Sequence, residues 1–166
     1  MDKIVFITGA SSGIGAGCAR KFASQGASLI LNARNVNKLS ALKEELEKQY
    51  GAKIYLLPFD VRDRKAATSA LESLPKEWQS IDILVNNAGL VIGTDKEQEG
   101  SLDEWDIVID TNIKALLAMT RLIVPGMVER KRGHIINIGS IAGDAAYPGG
   151  SVYCATKAAV KALSDG

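Results

Sequence analysis

The stretch TGASSGIG, residues 8–15, decides the fold of this chain. It follows the apolar run IVFI at residues 4–7 and precedes a segment with helical character. In an open α/β sheet, such a junction between strand and helix borders the ligand crevice. Glycines let the backbone approach a pyrophosphate, and the N-terminus of the next helix holds its negative charge. We therefore expect a dinucleotide-binding turn, although Gly-x-x-x-Gly-x-Gly differs from the commoner Gly-x-Gly-x-x-Gly spacing. A glycine-rich turn without a ligand is the alternative.

Short β-rich runs alternate with longer amphipathic segments along the whole chain. This pattern predicts an α/β fold of Rossmann type, a doubly wound parallel sheet with helices on both faces, in a single domain over residues 1–166. The runs are mostly apolar without alternation, as in strands buried on both faces. Five strands are predicted, at residues 4–7, 28–31, 53–57, 81–85 and 134–138. A long helix is expected from about residue 103 to 129, with Pro125 kinking or shortening its last turn. Residues 91–100 should form a loop at the edge of the cleft.

Composition and charge exclude several classes of partner. Hydrophobic residues make up 46% of the chain and charged residues 23%, with 20 Lys and Arg against 19 Asp and Glu. A formal net charge of +1 gives no electrostatic reason to expect nucleic acid. The start of the chain, Met1-Asp2-Lys3, lacks the features of a signal peptide, and no apolar stretch approaches the ~18 residues of a membrane span. We therefore expect a cytoplasmic protein with no membrane partner.

The two cysteines do not form a metal-binding pattern. Cys18 and Cys154 have no metal-ligand or Cys-x-x-Cys spacing, so no metal site is expected.

An NAD site usually carries an acidic residue about twenty positions after the glycine turn. Here the chain reads LNARN at residues 31–35, and Arg34 offers a fixed cation for a 2′-phosphate. The sequence favours NADP over NAD; a plain surface arginine is the alternative.

Tyr153 and Lys157 form a candidate catalytic pair. They lie four residues apart in a helix-prone stretch, and Ser140 ends an apolar run thirteen positions before Tyr153. Residues at i and i+4 share one face of a helix, so the ammonium group can sit near the phenol and favour its ionised form. A free tyrosine titrates near pH ~10 and needs such help to work as an acid or base at neutrality. Alone, the pair could equally be a solvated helix face.

Together these motifs resemble the short-chain dehydrogenase/reductase family over all 166 residues. Residues 8–15 resemble its cofactor turn, Asp60 and Val61 its adenine-side pair, and NNAG at residues 86–89 its signature after the fourth strand. The resemblance implies that NADP is bound by Gly9, Ser11, Ser12, Gly13, Ile14, Gly15, Arg34, Asp60, Val61, Asn87, Ala88, Gly89, Tyr153 and Lys157.

The same resemblance implies a catalytic tetrad of Asn112, Ser140, Tyr153 and Lys157. Tyr153 would be the general base in alcohol oxidation and the general acid in carbonyl reduction, and Lys157 would bind the nicotinamide ribose. Ser140 would hydrogen-bond the substrate oxygen, and Asn112 would hold a water that links Lys157 to solvent. Taken singly, Asn112 could be a surface amide, and Ser140 and Asp60 could be turn residues.

More narrowly, four segments resemble the NADP-dependent 3-hydroxy acid dehydrogenases: residues 74–78, 81–90, 125–130 and 133–140. This implies a small-molecule substrate such as serine or allo-threonine, and a homotetramer. Asn35 departs from the pattern, because that subfamily often has a second arginine there. The alternatives are a steroid or fatty-acyl carbonyl reductase, and an inactive nucleotide-binding or scaffold fragment. Since the sequence stops at Gly166, inside the predicted catalytic helix, we expect the C-terminal strands and the substrate lid of the family to be missing.

Overall fold

The computed structural model describes residues 3–166, so Met1 and Asp2, part of the signal-peptide argument, lie outside the described residues. These residues form one five-stranded sheet in the order β3-β2-β1-β4-β5, and every pairing is parallel. The strands are β1 (Ile4–Ile7), β2 (Ser28–Leu31), β3 (Ile54–Leu56), β4 (Ile81–Asn86) and β5 (His134–Asn137). The predicted Rossmann-type sheet is confirmed, with β3 two residues shorter than expected, β4 ending one residue later and β5 ending one residue earlier.

Helices connect successive strands and cover both faces of the sheet. They are α1 (Gly13–Ser24), α2 (Val36–Tyr50), α3 (Arg64–Glu72), α4 (Leu102–Ile109), α5 (Leu116–Glu129) and α6 (Ser151–Asp165). A π-helical segment, Asp110–Ala115, joins α4 to α5 without a break. The expected helix over 103–129 is therefore one continuous helical stretch with a wider turn inside it. Pro125 lies within α5, which runs on to Glu129, so the expected shortening of the last turn does not occur.

The alternating side chains of β1 divide the core into two clusters. Val5 and Ile7 pack on one face with the apolar stripe of α2, while Phe6 packs on the other face with Met119 and Ile123 of α5. Successive strand residues point to opposite faces, which explains why the strands are apolar throughout. Each fully buried leucine or isoleucine contributes about 1.5–3 kcal/mol of hydrophobic free energy. The packing on both faces holds the strands, and therefore the loops that follow them, in position.

The cleft lies where the strand order reverses. β1 is flanked by β2 on one side and by β4 on the other, so the connections leaving β1 and β4 diverge. Such a switch point leaves a crevice at the carboxyl ends of the strands. The glycine turn follows β1 at this edge, and residues 87–89 follow β4. Among residues 3–166, no helix is both long enough and apolar enough to cross a membrane.

Candidate active site

The glycine turn packs closely against the loop after β4. Gly9 has a φ of +63°, and a Cβ there would lie 2.9 Å from the Cα of Ala88. A Cβ at Gly15 would lie only 2.3 Å from the carbonyl oxygen of Gly9. Neither position can carry a side chain without displacing backbone. Gly13 is different, because its φ of +53° requires glycine while nothing lies within 4 Å of its missing Cβ.

The N-terminus of α1 beside Gly13 is left open. Ser12 precedes the helix but makes no side-chain capping hydrogen bond, and the first turn holds no acidic residue. The first N–H groups of a helix lack partners within it and attract anions. Residues 11–14 therefore offer backbone donors and a positive dipole to a phosphate group. This is the part of the turn that a side chain at Gly13 would cover.

A buried clamp of Thr8 and Asn87 holds the two loops together. Thr8 is 2% exposed, and its Oγ1 accepts hydrogen bonds from the backbone N–H groups of Asn87 at 3.0 Å and Ala88 at 2.9 Å. The Nδ2 of Asn87 donates to the carbonyl oxygens of Thr8 at 2.9 Å and Gly9 at 3.0 Å. Asn87 was predicted to contact the cofactor, and the structure directs its amide to the glycine turn. Thr8 was not among the predicted site residues, although a hydroxyl at the end of a buried strand is a usable signal.

Lys157 and Tyr153 meet on α6 as the i,i+4 spacing predicts. The Lys157 Nζ lies 5.9 Å from the centroid of the Tyr153 ring and donates a hydrogen bond to the carbonyl oxygen of Ile138 at 2.9 Å. Only 8% of Lys157 is exposed, and this burial lowers the pKa of its ammonium group. Gly89 brings the loop after β4 close, since a Cβ there would lie 3.6 Å from Nζ. The pair therefore places the Lys157 cation beside the partly exposed phenol of Tyr153.

Asn112 is buried inside the π-helical segment and is not a surface amide. Its Oδ1 accepts from the N–H of Leu90 at 2.9 Å, and its Nδ2 donates to the Leu90 carbonyl oxygen at 2.9 Å and to the Thr156 Oγ1 at 3.0 Å. Asn112 thus joins the loop after β4 to α6, one residue before Lys157. The wider turn of a π-helix, often found at functional sites, carries this side chain. Helix propensities do not predict this π-helical turn.

Ser140 begins a short 3₁₀ turn, Ile141–Gly143, three residues after β5 ends. Its Oγ accepts a hydrogen bond from the N–H of Ala142 at 3.1 Å, which leaves the hydroxyl hydrogen available to a further acceptor. The turn packs on α6, because a Cβ at Gly143 would lie 2.8 Å from the carbonyl group of Lys157. Ser140 is half-buried and begins a turn that packs against the helix of the tyrosine-lysine pair.

One cleft of about 980 Å³ unites most of the predicted positions. Its lining contains Gly9, Ser11, Ser12, Gly13, Ile14, Arg34, Asp60, Val61, Asn87, Ala88, Gly89, Tyr153 and Lys157. Gly15, Asn112 and Ser140 are not part of this lining, and Gly15 and Asn112 are buried behind it. The sequence did not predict that Lys38 and Arg62 also line the cleft. The volume is sufficient for a dinucleotide-sized ligand.

The predicted adenine-side residue Asp60 is paired with Arg62. The Arg62 Nη2 lies 2.7 Å from the Asp60 Oδ2, and its Nε lies 3.1 Å from Oδ1. This hydrogen bonding holds the pKa of Asp60 below its ordinary value. Arg34, whose side chain is 67% exposed, has its Nη1 3.9 Å from the same Oδ2. Asn35 accepts from the N–H of Lys38 at 2.9 Å, so it caps α2.

A second, small cavity of about 20 Å³ lies beside Tyr153. It is bounded by residues 91–93, the Trp105 region of α4 and residues 149–153. Residues 91–100 contain neither helix nor strand, so the loop predicted at the edge of the cleft is confirmed. Val91 lines both cavities, which makes this loop the wall between them.

Comparison with known proteins gives a consistent result. The sequence model of the short chain dehydrogenase family matches residues 3–166. The NADP-dependent 3-hydroxy acid dehydrogenase of Escherichia coli O6:H1 is 50% identical over 161 residues, which are 97% of this chain and 63% of that protein. The chain therefore spans less than two thirds of the length of this curated relative.

Two solved structures resemble the fold closely. The crystal structure of serine dehydrogenase from Escherichia coli has a TM-score of 0.91 at 49% identity and aligns with 96% of this chain and 72% of its own. The closed form of serine dehydrogenase complexed with NADP+ has a TM-score of 0.89 at 48% identity, with 96% of this chain and 63% of its own aligned.

Proposed function

Because the chain belongs to the short-chain dehydrogenase family, we propose that it is an oxidoreductase that transfers a hydride between NADP(H) and the hydroxyl-bearing or carbonyl carbon of a small substrate. The observation that carries this proposal is the placement of Tyr153 and Lys157 in the same cleft as the open glycine turn. An acid–base pair and an anion-binding turn in one cleft are what such a reaction requires. A scaffold that binds no nucleotide has no use for the buried, desolvated lysine.

The cleft has the features that a dinucleotide phosphate cofactor needs. The backbone N–H groups at residues 11–14 would hold the pyrophosphate, since Gly13 leaves the approach open. Ile14 presents an apolar side chain, 62% exposed, that a bound ligand would cover. Arg34 would hold the 2′-phosphate, and Asp60 and Val61 would flank the adenine. Ala88, Gly89, Tyr153 and Lys157 would line the nicotinamide end.

Residues of the chain would handle the proton. NADP+ supplies the hydride acceptor when bound, and NADPH the donor. In alcohol oxidation the Tyr153 phenolate takes the hydroxyl proton of the substrate as hydride leaves its carbon; in carbonyl reduction the Tyr153 phenol returns that proton. The Lys157 ammonium stabilises the phenolate by its positive charge in a partly dry site. Ser140 donates its hydroxyl hydrogen to the substrate oxygen as charge changes there.

Asn112 would act by holding Lys157 in place and not by touching substrate. Its amide fixes both Leu90 and Thr156, and Thr156 in turn donates to the carbonyl oxygen of Tyr153 at 2.7 Å. A water bound near Asn112 and Lys157 would carry protons to solvent. The loop and helix on either side of the lysine are thus held by one buried side chain.

A 3-hydroxy acid such as serine or allo-threonine is the substrate we propose. Support comes from the 50% identity to a NADP-dependent 3-hydroxy acid dehydrogenase, which extends along almost the whole chain. A 3-hydroxy acid has the secondary or primary alcohol that the tyrosine can deprotonate. A steroid or fatty-acyl ketone would be the alternative outcome of a substrate screen.

We also propose that the protein works in the cytoplasm as a homotetramer. The exposed apolar side chains of α4 and α5, which include Leu102 and Val128 at 72% and 68% exposure, support self-association. Cys18 and Cys154 are both free thiols, which suits a reducing compartment. Light scattering of the purified protein tests the assembly, and a monomer at all concentrations would reject it.

The test of the proposed reaction is a substrate panel with a matched tyrosine control. L-Serine, L-allo-threonine, a steroid alcohol and a fatty-acyl alcohol are each assayed with NADP+ and with NAD+. We expect the full-length protein to turn over the two hydroxy acids with NADP+. Tyr153→Phe should abolish turnover with little change in NADPH affinity, because it removes only the phenolic hydroxyl. Tyr50→Phe, at the exposed end of α2, should behave as wild type. Undiminished turnover in Tyr153→Phe would refute the proposed role.

A further inference from the structure

Arg62 forms an ion pair with Asp60 and also lines the rim of the cleft. Its guanidinium uses Nε and Nη2 to hold both oxygens of Asp60. A guanidinium group carries five N–H donors in a planar fork, so this contact leaves donors of Arg62 for another acceptor. The side chain is about one-third exposed and lines the cleft, so that acceptor can come from a ligand.

Arg34 approaches the same carboxylate from another position. Its Nη1 lies 3.9 Å from the Asp60 Oδ2, the oxygen that the Arg62 Nη2 contacts at 2.7 Å. Two guanidinium groups that converge on one oxygen are close enough for a single phosphate group to contact both. A phosphate monoester has three strong acceptor oxygens, more than either arginine alone can satisfy.

The charges at this end of the cleft match such a group. Arg34, Lys38 and Arg62 contribute three positive charges, and Asp60 is the only acidic residue among the described residues that line the cleft. Together these four side chains carry a net charge of +2. A phosphate monoester carries about −1.5 to −2 at pH 7. A ribose with a free 2′-hydroxyl would leave this surplus without a counterion.

Neighbouring residues hold the arrangement in place. The Nδ2 of buried Asn32 donates to the carbonyl oxygens of Leu57 at 3.0 Å and Phe59 at 3.1 Å, which fixes the segment leading to Asp60. Asn35 caps α2 by accepting a hydrogen bond from the N–H of Lys38 at 2.9 Å, which fixes the start of the helix that carries Lys38.

We propose that Arg62 is a specificity-determining residue that binds the 2′-phosphate of NADP together with Arg34, and that Asp60 holds its guanidinium at the cleft. This inference rests on the proposed NADP-dependent function. It assigns to Asp60 a positioning role through Arg62 in addition to any contact with adenine.

The test compares two nucleotides that differ only in the 2′-phosphate. Isothermal titration calorimetry with adenosine 2′,5′-bisphosphate and with adenosine 5′-monophosphate is run on wild type, Arg62→Gln, Asp60→Asn and the double variant. Loss of one charge-assisted contact should weaken the bisphosphate by about tenfold or more in Arg62→Gln. Affinity for the monophosphate should stay unchanged, which also shows that the variant is folded. Lys65→Gln, an exposed charge outside the cleft lining, should bind both as wild type does.

The double variant separates direct contact from simple neutralisation of Asp60. If Arg62 contacts the phosphate and Asp60 positions it, Arg62→Gln weakens bisphosphate binding more in the wild-type background than in the Asp60→Asn background, where the guanidinium is no longer held. A double variant that binds the bisphosphate as tightly as wild type would overturn the inference, because Arg62 would then act only by neutralising Asp60. If Arg62→Gln does not fold, Arg62→Met removes the charge and all donors, and a wild-type preference for the bisphosphate there would overturn the inference likewise. A wild-type protein that binds both nucleotides equally would instead reject the NADP assignment itself.

Discussion

Replacement of Thr8 by valine tests whether the buried clamp holds the cofactor turn. The substitution keeps the shape of the side chain and removes the Oγ1. That atom accepts from the N–H groups of Ala88 and Asn87 and donates to the Val85 carbonyl oxygen at 3.3 Å. The Asn87 N–H also contacts the Val85 carbonyl oxygen at 3.0 Å, so it keeps a partner. The Ala88 N–H does not have this second contact and loses its hydrogen-bond partner at a half-buried position.

The magnitude follows from these contacts. One buried N–H without a partner costs about 1–3 kcal/mol, and weakening the shared contact of Asn87 adds about 0.5–1.5 kcal/mol. We therefore expect Thr8→Val to lower the free energy of unfolding by about 1.5–4.5 kcal/mol, out of about 5–15 kcal/mol for a domain. Thr8→Ser is the matched control, because it keeps the hydroxyl and removes one buried methyl group, which costs about 0.8 kcal/mol.

Urea denaturation followed by tryptophan fluorescence measures both variants, and NADPH titration measures the turn directly. Thr8→Val should unfold at a lower urea concentration and bind NADPH more weakly than Thr8→Ser does. An unfolding free energy for Thr8→Val equal to that of Thr8→Ser would refute the clamp. So would unchanged NADPH affinity in a destabilised Thr8→Val protein, because the turn would then be held by other contacts.

Three further predictions concern single side chains. Asn112→Ala removes the contacts to Leu90 and Thr156 and should lower the unfolding free energy by about 2–4 kcal/mol; urea denaturation with no detectable shift would contradict this. Because the pKa of Asp60 is lowered in the folded state, its contribution to stability is present above about pH 3.9 and is lost as pH falls below that. Wild type should therefore lose more stability than Asp60→Asn between about pH 5 and pH 3, and parallel curves would contradict the pairing. Burial lowers the pKa of Lys157, so below about pH 10.4 the unfolded chain binds more protons at this residue than the folded chain does. The free energy of unfolding should therefore rise with pH up to about pH 10.4 in wild type, and this rise should be absent in Lys157→Met.

The sheet and the glycine turn were predictable because they depend on local pattern. Apolar runs such as residues 4–7 and the glycines at residues 9, 13 and 15 report directly on burial and on backbone conformation. The Tyr153–Lys157 contact was predictable for the same reason, since it lies within one helix.

Contacts that depend on the assembled fold could not be predicted. Thr8 and Asn87 are 79 residues apart, and only the pairing of β1 with β4 brings them together. The π-helical turn around Asn112 has no signature in residue propensities, because they describe regular helices. The Asp60–Arg62 contact is local in sequence, yet its importance depends on the cleft that both residues line.

In the proposed reaction, hydride passes directly between the hydroxyl-bearing carbon of a 3-hydroxy acid and NADP, and Tyr153 transfers the proton. NADPH formed from L-serine with both hydrogens of its hydroxyl-bearing carbon replaced by deuterium is analysed by mass spectrometry. We expect NADPH with one deuterium atom from each turnover by the full-length wild type, and none formed by Tyr153→Phe. NADPH without deuterium, or labelled NADPH formed equally well by Tyr153→Phe, would contradict it.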